Sequence, residues 1–505
     1  MKAKIILLFF IAVAALLFSS CSDSDNGGKQ DVEESDEIYT NKWIFERMRA
    51  LYLWNDKLPT KTNYDYPTES FFYGLLYKWR DREGDRFSWI EEDDSNKTKT
   101  LYAKVDLGFD YYPFSYFPDE NTQNSSLGFF VTSVNKGSDA EAKGVRRGQI
   151  IYKVNNVDVN YDNYLAILND LSSFTLSVYN NETGKKETLP LMQANGKKIS
   201  PVAISKVIES SAGKIGYILY NNFDRGVDDE GSTFEYDIEL MESIRALGDV
   251  KEFILDLRYN PGGYLTSAIN LASALVPNRD TKKLFIKEEY NSYFQDSIIK
   301  RWGPDAVNSY FLDKAYETNV DIPRLNLSRL HIIASENTAS ASEVIINGLE
   351  PYMKINILGQ TTKGKDKASM TVKANDERIK YKLQPLISRL SNSKGEGNYI
   401  YGYKPTQGYE FSELEELFYT VYADSYDEYG KPITVKCPVL DRWKAPIPSL
   451  GDASEPLLAA TIARIIHLPR KKSEEAVGRK SVLVPRIKQD ESRFRTIVDQ
   501  DRFIK

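Results

Sequence analysis

The first regular pattern in the chain lies between Ile38 and about Ile90, where apolar residues recur at intervals of three and four positions. This spacing places them on one face of a helix. The residues concerned are Trp43, Ile44, Met48, Leu51, Leu53, Phe71, Phe72, Leu75, Leu76 and Trp79. The pattern predicts two or three short amphipathic helices, ended by Pro59 and near Pro67, and thus a small N-terminal helical domain over residues 38–100.

Beyond residue 100 the pattern changes to short strands separated by glycine and asparagine turns. Ser138 is placed to cap a one-turn helix, and Gly148 is placed to turn the chain. Ile150–Val154 then has the pattern of a strand, and the Asn155-Asn156 pair is typical of the tight turn that follows one. Residues 101–200 are therefore predicted to form a β-rich domain, and the run from Gly137 to Val159 resembles that of a PDZ domain.

Between residues 201 and 469, apolar strands alternate with amphipathic helices. Strands predicted at 214–220 and 253–257 flank a helix predicted at 234–247. Because a helical crossover joins the two strands, we expect a largely parallel sheet with helices outside it. A further helix is predicted at 456–466. The predicted fold class is therefore multidomain α/β, with a helical unit, a β-rich domain and an α/β domain.

The N-terminus has the pattern of a secretory signal. Two lysines precede an apolar stretch over residues 5–18, which at 14 residues is shorter than the ~20 that a membrane-spanning helix needs. The sequence before Cys21 resembles a bacterial lipobox, which implies a signal peptide over residues 1–20 and a lipid on the Cys21 sulfur. Residues 21–37 have the polar, acidic composition of a flexible tether. We expect a lipid-anchored protein of the cell envelope, periplasmic or on the cell surface, with no other membrane contact.

Composition narrows the chemistry further. The 505-residue chain has 66 basic and 72 acidic residues, a formal charge of −6, which provides no general attraction for nucleic acid. Two histidines, His331 and His467, cannot build a multi-histidine site, and no metal or cofactor is predicted. Cys437 is expected to be unpaired if Cys21 is lipidated. Residues 470–505 contain 11 basic and 6 acidic residues and are predicted to be a surface-bound or mobile tail.

Two segments of the α/β region have unusual sequences for a scaffold. Residues 256–263 read Asp-Leu-Arg-Tyr-Asn-Pro-Gly-Gly, and bare glycine backbone in such a turn can approach a ligand. A second segment leaves a strand and enters a helix near Ala341, so that Ser340 lies where the helix offers N–H groups to an anion. Ser340 and Glu343 also have the spacing of a capping box, which would explain both residues without catalysis.

These motifs, in this order and after a PDZ-like domain, resemble the carboxyl-terminal processing proteases of peptidase family S41. The resemblance covers most of the mature chain and rests on Asp-Leu-Arg-x-Asn-Pro-Gly-Gly, Thr-Ala-Ser-Ala-Ser-Glu and Gly-x-x-Thr-x-Gly-Lys. It implies a catalytic domain of the S41, crotonase-like type at residues 201–469. It also implies Ser340 as the nucleophile and Lys365, 25 residues later, as the general base. The backbone N–H groups of Ala341 and of Gly262 or Gly263 would hold the oxyanion.

A lysine with a pKa of about 10.4 in water can act as a base only after desolvation, so Lys365 is expected to be largely buried. The family often has a glutamine four residues after this lysine, whereas this chain has Ser369, which we retain as a third member. Lys363 and Lys367 are expected to be solvated charges, and His331 to be a packed strand residue.

The resemblance to PDZ domains implies a peptide site in the β-rich domain. Leu107, Gly108 and Phe109 fall where the family has its carboxylate-binding loop, and Tyr164 and Leu168 would line the adjacent groove. A peptide C-terminus would add there as an edge strand. The alternative is that the domain only packs against the rest of the chain.

Together these features predict a secreted, lipid-anchored serine endopeptidase that acts on proteins or peptides, recognised through their C-termini or gated by the PDZ-like domain. One alternative is a catalytically silent, protease-like lipoprotein that binds protein C-termini. Another is a Ser-His hydrolase that uses His467. Asp256 and Arg258 are expected to hold a strand end rather than to touch substrate.

Overall fold

The computed structural model describes residues 34–93, 106–169, 171–180, 184–194, 200–226, 233–427, 429–443, 447–468, 476, 479–487 and 495–498. The predicted signal peptide, the lipidation site Cys21 and most of the predicted tether lie outside the described residues.

The helices, numbered along the chain, are α1 (Asp36–Leu51), α2 (Thr68–Gly74), α3 (Asp139–Ala142), α4 (Glu235–Ala246), α5 (Leu265–Leu275), α6 (Ser292–Trp302), α7 (Ala341–Leu349), α8 (Glu413–Leu417) and α9 (Pro456–Ile465), with 3₁₀ turns at Asn55–Lys57 and Pro304–Val307. Helix α1 begins inside the stretch predicted as tether. The reason is a cap, because Ser35 Oγ accepts the Ile38 N–H at 3.2 Å.

The strands are β1 (Trp89–Glu92), β2 (Phe109–Tyr116), β3 (Ser126–Val134), β4 (Ile150–Val154), β5 (Val157–Asp158), β6 (Ser173–Phe174), β7 (Leu176–Tyr179), β8 (Lys186–Thr188), β9 (Met192–Gln193), β10 (Val202–Ser210), β11 (Gly213–Tyr220), β12 (Glu252–Asp256), β13 (Gly262–Tyr264), β14 (Leu284–Tyr290), β15 (Asn308–Tyr310), β16 (Arg329–Ala334), β17 (Lys354–Gly359), β18 (Lys367–Ser369), β19 (Tyr381–Gln384), β20 (Leu386–Asn392), β21 (Phe418–Tyr426), β22 (Pro432–Trp443), β23 (Arg479–Leu483) and β24 (Arg495–Ile497).

The α/β domain is built on a sheet of order β10-β11-β12-β16-β17, in which every pairing after the first is parallel. Helix α4 crosses between β11 and β12, so the predicted parallel sheet is confirmed. Helices α5 and α7 contribute to the apolar core on one face, and α9 contributes to a second core on the other. Because parallel strands end at one edge, the loops after β12, β16 and β17 meet there. These loops carry both unusual segments and the predicted base.

A second sheet, of order β13-β24-β18-β20-β14-β15, stands beside that edge. Its strand β24 comes from the segment predicted as a surface-bound or mobile tail, and β23 of the same segment pairs with β21. The tail prediction is therefore wrong for these residues. Basic residues dominated the composition of this segment, but Val484, Ile497 and Val498 are buried. The α/β domain accordingly extends beyond the predicted boundary at residue 469.

The structure also contains an N-terminal helical unit and a β-rich domain, with one unpredicted connection. In the β-rich domain, Ser138 caps α3 and the turn after β4 has positive φ at Asn155 and Asn156, as predicted. Its main sheet has the order β2-β3-β4-β7-β8. The helical domain, however, ends in strand β1, which pairs with β19 of the α/β domain. No helix in the described ranges is long and apolar enough to span a bilayer.

Candidate active site

Ser340 lies where the loop after β16 enters α7. The helix begins at Ala341, as predicted, and Ser340 has no exposed surface. Its backbone has φ 62° and ψ −117°, in a region that costs a residue other than glycine about 1–3 kcal/mol. An ordinary helix cap has extended backbone, so capping alone does not account for this conformation. Strain of this kind is concentrated at functional sites.

The carboxylate of Glu343 joins the Ser340 segment to the Lys365 segment. Its Oε2 atom accepts the backbone N–H groups of Ser340 and Lys365, each at 2.8 Å. Its Oε1 atom accepts the Thr362 hydroxyl at 2.5 Å and the Gly364 N–H at 2.7 Å. The backbone nitrogens of the predicted nucleophile and base are therefore within two hydrogen-bond lengths of each other. The capping-box spacing had marked Glu343, but only for the first of these four bonds.

Lys365 is fully buried, as expected for a lysine base. Its Nζ lies 5.6 Å from the ring centroid of Phe87, which belongs to the helical domain just before β1. The neighbouring Arg86 donates from Nη2 to the Gly364 carbonyl at 2.8 Å. The helical domain thus forms one wall of the Lys365 pocket. Burial raises the pKa of the adjacent Glu343, although the hydrogen bonds to its carboxylate oppose this, so the pocket disfavours charge.

Ser369, the predicted third member, is buried on β18 and contacts a glutamine that the motifs did not identify. Gln384 Nε2 donates to Ser369 Oγ at 3.0 Å, and the Thr371 hydroxyl donates to Gln384 Oε1 at 2.6 Å. Gln384 lies at the end of β19, 15 residues beyond Ser369. Strand pairing therefore brings a glutamine amide to this position, although the sequence lacks one four residues after Lys365.

Asn260 connects the predicted oxyanion turn to the serine loop. Its carbonyl accepts the Ala339 N–H at 3.2 Å and the Ser342 hydroxyl at 3.1 Å. Its side-chain Oδ1 accepts the Gly262 N–H at 2.9 Å. The glycine turn therefore lies beside the start of α7, as predicted, but the Gly262 N–H is engaged within the turn. Nothing in the sequence motifs distinguished Asn260 from a turn residue.

Lys367 was predicted to be a solvated charge, and this is wrong. Its side chain is only 7% exposed, forms a 2.7 Å ion pair with Asp366, and lies 5.8 Å from a Trp54 ring centroid. The lysine-rich stretch suggested a surface loop, but its last part becomes β18 and is covered by the helical domain. Lys363 is half-buried, and its backbone N–H donates to the Thr338 carbonyl.

Comparison with protein families identifies the two parts that meet at this site. Residues 214–405 match the model described as peptidase family S41, and residues 39–89 match the peptidase S41 N-terminal domain. The chain contains the domains of peptidase family S41. The resemblance of the motifs to peptidase family S41 is thereby confirmed, while the resemblance of the β-rich domain to PDZ domains stays a prediction. The S41 N-terminal domain corresponds to the helical unit that forms the wall beside Lys365.

The similar proteins agree with this assignment. The chain is 28% identical over 280 residues to a Staphylococcus aureus (strain COL) protein described as "Probable CtpA-like serine protease", covering 54% of this chain and 48% of that protein. It is 23% identical over 300 residues to the carboxy-terminal processing protease CtpA of Bacillus subtilis (strain 168), covering 57% and 55%. The chain thus spans about half the length of these relatives. A crystal structure of a candidate S41 protease from Bacteroides fragilis NCTC 9343 shares the fold, with a TM-score of 0.61, 24% identity, and coverage of 88% and 99%.

In the S41 domain, Asp256 and Arg258 hold the end of β12. The Arg258 guanidinium donates to both Asp256 oxygens at 2.8–3.1 Å, and to both Glu455 oxygens at 2.7 and 2.9 Å. Arg147, from the β-rich domain, pairs with Glu413 of α8. Glu413 also accepts the Tyr259 hydroxyl at 2.7 Å. This buried ion network joins the β-rich domain to the S41 domain.

The residues of the predicted PDZ peptide site are packed inside the β-rich domain. Leu107, Phe109, Tyr164 and Leu168 are all buried in its apolar core. The N–H of Gly108, in the predicted carboxylate loop, donates instead to Asp106 Oδ1 at 2.8 Å. Recognition of C-termini by this domain stays a prediction, and it would require Asp106 to release that N–H.

The remaining titratable candidates do not join the site. His331 is buried in β16, as predicted, and burial lowers its pKa to about 4. His467, the base of the alternative hydrolase, is exposed after α9, whereas Ser340 is buried. Cys437 is a free, buried thiol whose pKa burial raises to about 12. Among the residues that the structure describes, no three His, Cys, Asp or Glu side chains are grouped to hold a metal ion.

Proposed function

We propose that this chain is a serine endopeptidase in which Ser340 is the nucleophile and Lys365 is the general base. The observation that carries the proposal is the Glu343 carboxylate, which accepts the backbone N–H groups of both residues at one oxygen atom. Full burial of Ser340 and Lys365 and the strained backbone of Ser340 support it. The S41 assignment makes a peptide bond the substrate expected for such a pair.

In the proposed mechanism, the dry pocket favours the neutral amine of Lys365, because burial penalises an ammonium ion. As Ser340 Oγ attacks the substrate carbonyl carbon, its proton passes to Lys365 Nζ. Collapse of the tetrahedral intermediate breaks the C–N bond, and the leaving amine takes this proton. A water molecule then attacks the carbonyl carbon of the acyl-enzyme and gives a proton to Lys365 Nζ. The ester C–O bond breaks, Lys365 returns this proton to Ser340 Oγ, and the new carboxyl group is released. Ser369, with Gln384 behind it, would orient the amine between these steps.

The oxyanion requires backbone donors that do not move far during reaction. Ala341 at the start of α7 suits this role. Gly263 lies in β13 in register with β24, so its N–H would first have to be released from that strand pairing. Gly262 would contribute only if its N–H left Asn260. Each donor of this kind is worth about 3–4 kcal/mol of transition-state stabilisation.

The location and substrate recognition are also part of the proposal. The lipobox-like sequence at Cys21 would anchor the enzyme in the cell envelope, with its substrates being proteins or peptides. The β-rich domain would present substrate C-termini or gate the site, and its ion network with the S41 domain gives it a rigid attachment. The name of the Bacillus subtilis relative, a carboxy-terminal processing protease, supports this choice of substrate end.

The second candidate, a silent lipoprotein that binds C-termini, is favoured by the engagement of the Gly262 N–H with Asn260. Cleavage of casein and of a peptide with an apolar C-terminus separates the two. We expect Ser340→Ala to abolish cleavage with little change in Tm, while Ser342→Ala, whose hydroxyl binds the Asn260 carbonyl, retains it. Saturable peptide binding without turnover in the unmodified protein would support the silent lipoprotein and contradict the endopeptidase.

A further inference from the structure

The strand next to the predicted oxyanion turn comes from the far end of the chain. Strand β24 lies between β13 and β18 and runs parallel to both. Gly262, Gly263 and Tyr264 are in register with residues 495, 496 and 497. On the other side, the Val498 N–H donates to the Ser369 carbonyl at 3.0 Å. The tail segment is thus hydrogen-bonded between the oxyanion turn and the strand that follows the predicted base.

Without this segment, β13 and β18 would face each other across a space of about two strand spacings, roughly 9–10 Å. Such a space exposes the backbone groups of two strand edges, which pair readily with an extended peptide. We define this space as the strand slot. It adjoins the Ser340 loop through Asn260 and adjoins the Lys365 segment through β18, so an extended chain in the slot runs alongside the reacting groups.

The slot has an apolar floor where the tail enters it. Ile497 is 4% exposed, and Val498 is 1% exposed and belongs to the main apolar core of the S41 domain. Burial of these two aliphatic side chains stabilises the tail in this position. The backbone ladder is independent of side chains, so these two positions determine which sequences fit. The slot therefore selects an extended segment with two consecutive aliphatic residues.

We infer that the strand slot is a binding site for extended, aliphatic peptide segments, and that residues 495–498 of this chain are its intramolecular ligand. One part of this inference rests on the proposed function, namely that substrate reaches Ser340 through the slot. A peptide of this chemistry must displace the tail before it can enter. Because the tail is covalently attached, its effective concentration exceeds that of a free peptide, and it competes strongly.

The test uses the full-length chain with the tail strand disrupted. Ile497→Asp with Val498→Asp places two charges in the apolar floor and should expel β24. The matched control is Leu483→Asp, which introduces a charge at an exposed position of β23 in the same terminal segment. All proteins carry Ser340→Ala, so that binding is measured without cleavage. The probe is a fluorescein-labelled peptide of residues 488–505, followed by anisotropy.

We expect saturable binding to the double variant at least about tenfold tighter than binding to the Leu483→Asp control, in which the tail still occupies the slot. The same peptide with aspartate at positions 497 and 498 should not bind. Equal binding to both proteins, or none to a double variant with an unchanged circular dichroism spectrum, would overturn the inference. If the double variant does not fold, Val498→Pro removes the N–H that binds the Ser369 carbonyl without placing a charge in the apolar floor, and the same comparison applies.

Cleavage assays with Ser340 restored separate this inference from the proposed function. Faster casein cleavage by the double variant than by the Leu483→Asp control would support both. Peptide binding without cleavage in any variant would leave the slot in place and contradict the endopeptidase. Equal cleavage by both variants, with no peptide binding, would leave the endopeptidase in place and contradict the slot.

Discussion

Glu343, in the pocket around Ser340, and Glu455, in the ion network, are both fully buried, but their carboxyl pKa values are shifted in opposite directions. Burial raises the pKa of Glu343, and the hydrogen bonds from Thr362 and the backbone offset this only in part. Burial acts on Glu455 too, yet the Arg258 guanidinium beside it brings the pKa of Glu455 below its ordinary value. The ion network is therefore a region of fixed, compensated charge. The pocket around Ser340 is one in which charge is disfavoured, as a lysine base requires.

The largest effect should follow from removing the proposed base. Lys365→Met keeps the unbranched side chain, one atom shorter, and its packing on Phe87, but it cannot accept a proton. We expect casein cleavage to fall by at least about 10³-fold, with Tm changed little. Lys363→Met is the matched control, two residues earlier and half-buried, and should retain most activity. Loss of activity in both variants would show that cleavage depends on the conformation of the loop that carries Lys363 and Lys365, rather than on the Lys365 amine.

Substitutions in the ion network should lower the stability of the protein rather than its catalytic activity. Arg258→Met leaves the buried Asp256 without its guanidinium and leaves the buried Glu455 with the more distant Arg147, 3.8 Å away. This should lower the free energy of unfolding by about 3–5 kcal/mol. Urea unfolding measures this directly. Arg324→Met removes an exposed partner of Asp313 and should stay within about 1 kcal/mol of the unmodified protein. If Arg258→Met is as stable as that control, the network does not hold the two domains together.

The sequence motifs predicted most of the local structure on which this comparison rests. Ser138 as a cap, the strand at Ile150–Val154 and the start of α7 at Ala341 depend on neighbouring residues, and such short-range signals can be read along a chain. The burial of Lys365 was expected only because the resemblance to the S41 family required it.

Long-range pairing explains what the motifs missed. Lys367 and Gln384 reach the site through β18 and β19, and no local pattern tells which strands will lie beside them. The prediction of a surface-bound or mobile tail rests on the charge composition of residues 470–505, although Thr496, Ile497 and Val498 are residue types typical of a strand. The composition of a segment does not show that it contains a short strand that pairs with segments more than a hundred residues away.

The pH dependence of stability at His331 shows whether the interior of the S41 domain favours the neutral form of a buried base. Burial lowers its pKa to about 4 from an ordinary value of 6.5, although Glu252 lies 3.4 Å away. Because the folded pKa lies below the unfolded one, unfolding takes up a proton between these pH values. Stability present above pH 6.5 is therefore lost as pH falls towards 4, by up to about 3 kcal/mol. Comparing urea midpoints of the unmodified protein and His331→Leu across this range should show the loss only in the former, and parallel curves would contradict it.

The smallest effect is expected at the contact between domains. Arg147→Met removes the guanidinium that the β-rich domain contributes to Glu413, and should cost about 1–2 kcal/mol. Calorimetry should then show the β-rich domain unfolding as a separate transition. Arg146→Met is the control, since its guanidinium donates to the Glu141 and Val145 carbonyls of its own domain. A single, unshifted transition in Arg147→Met would mean that the domains are joined by other contacts.

The most direct measurement is to label the protein with a fluorophosphonate and map the modified residue by mass spectrometry. We predict one modified serine, Ser340, with labelling lost in Lys365→Met and kept in Lys363→Met. Modification of a different serine, or labelling of Ser340 that persists undiminished in Lys365→Met, would contradict it.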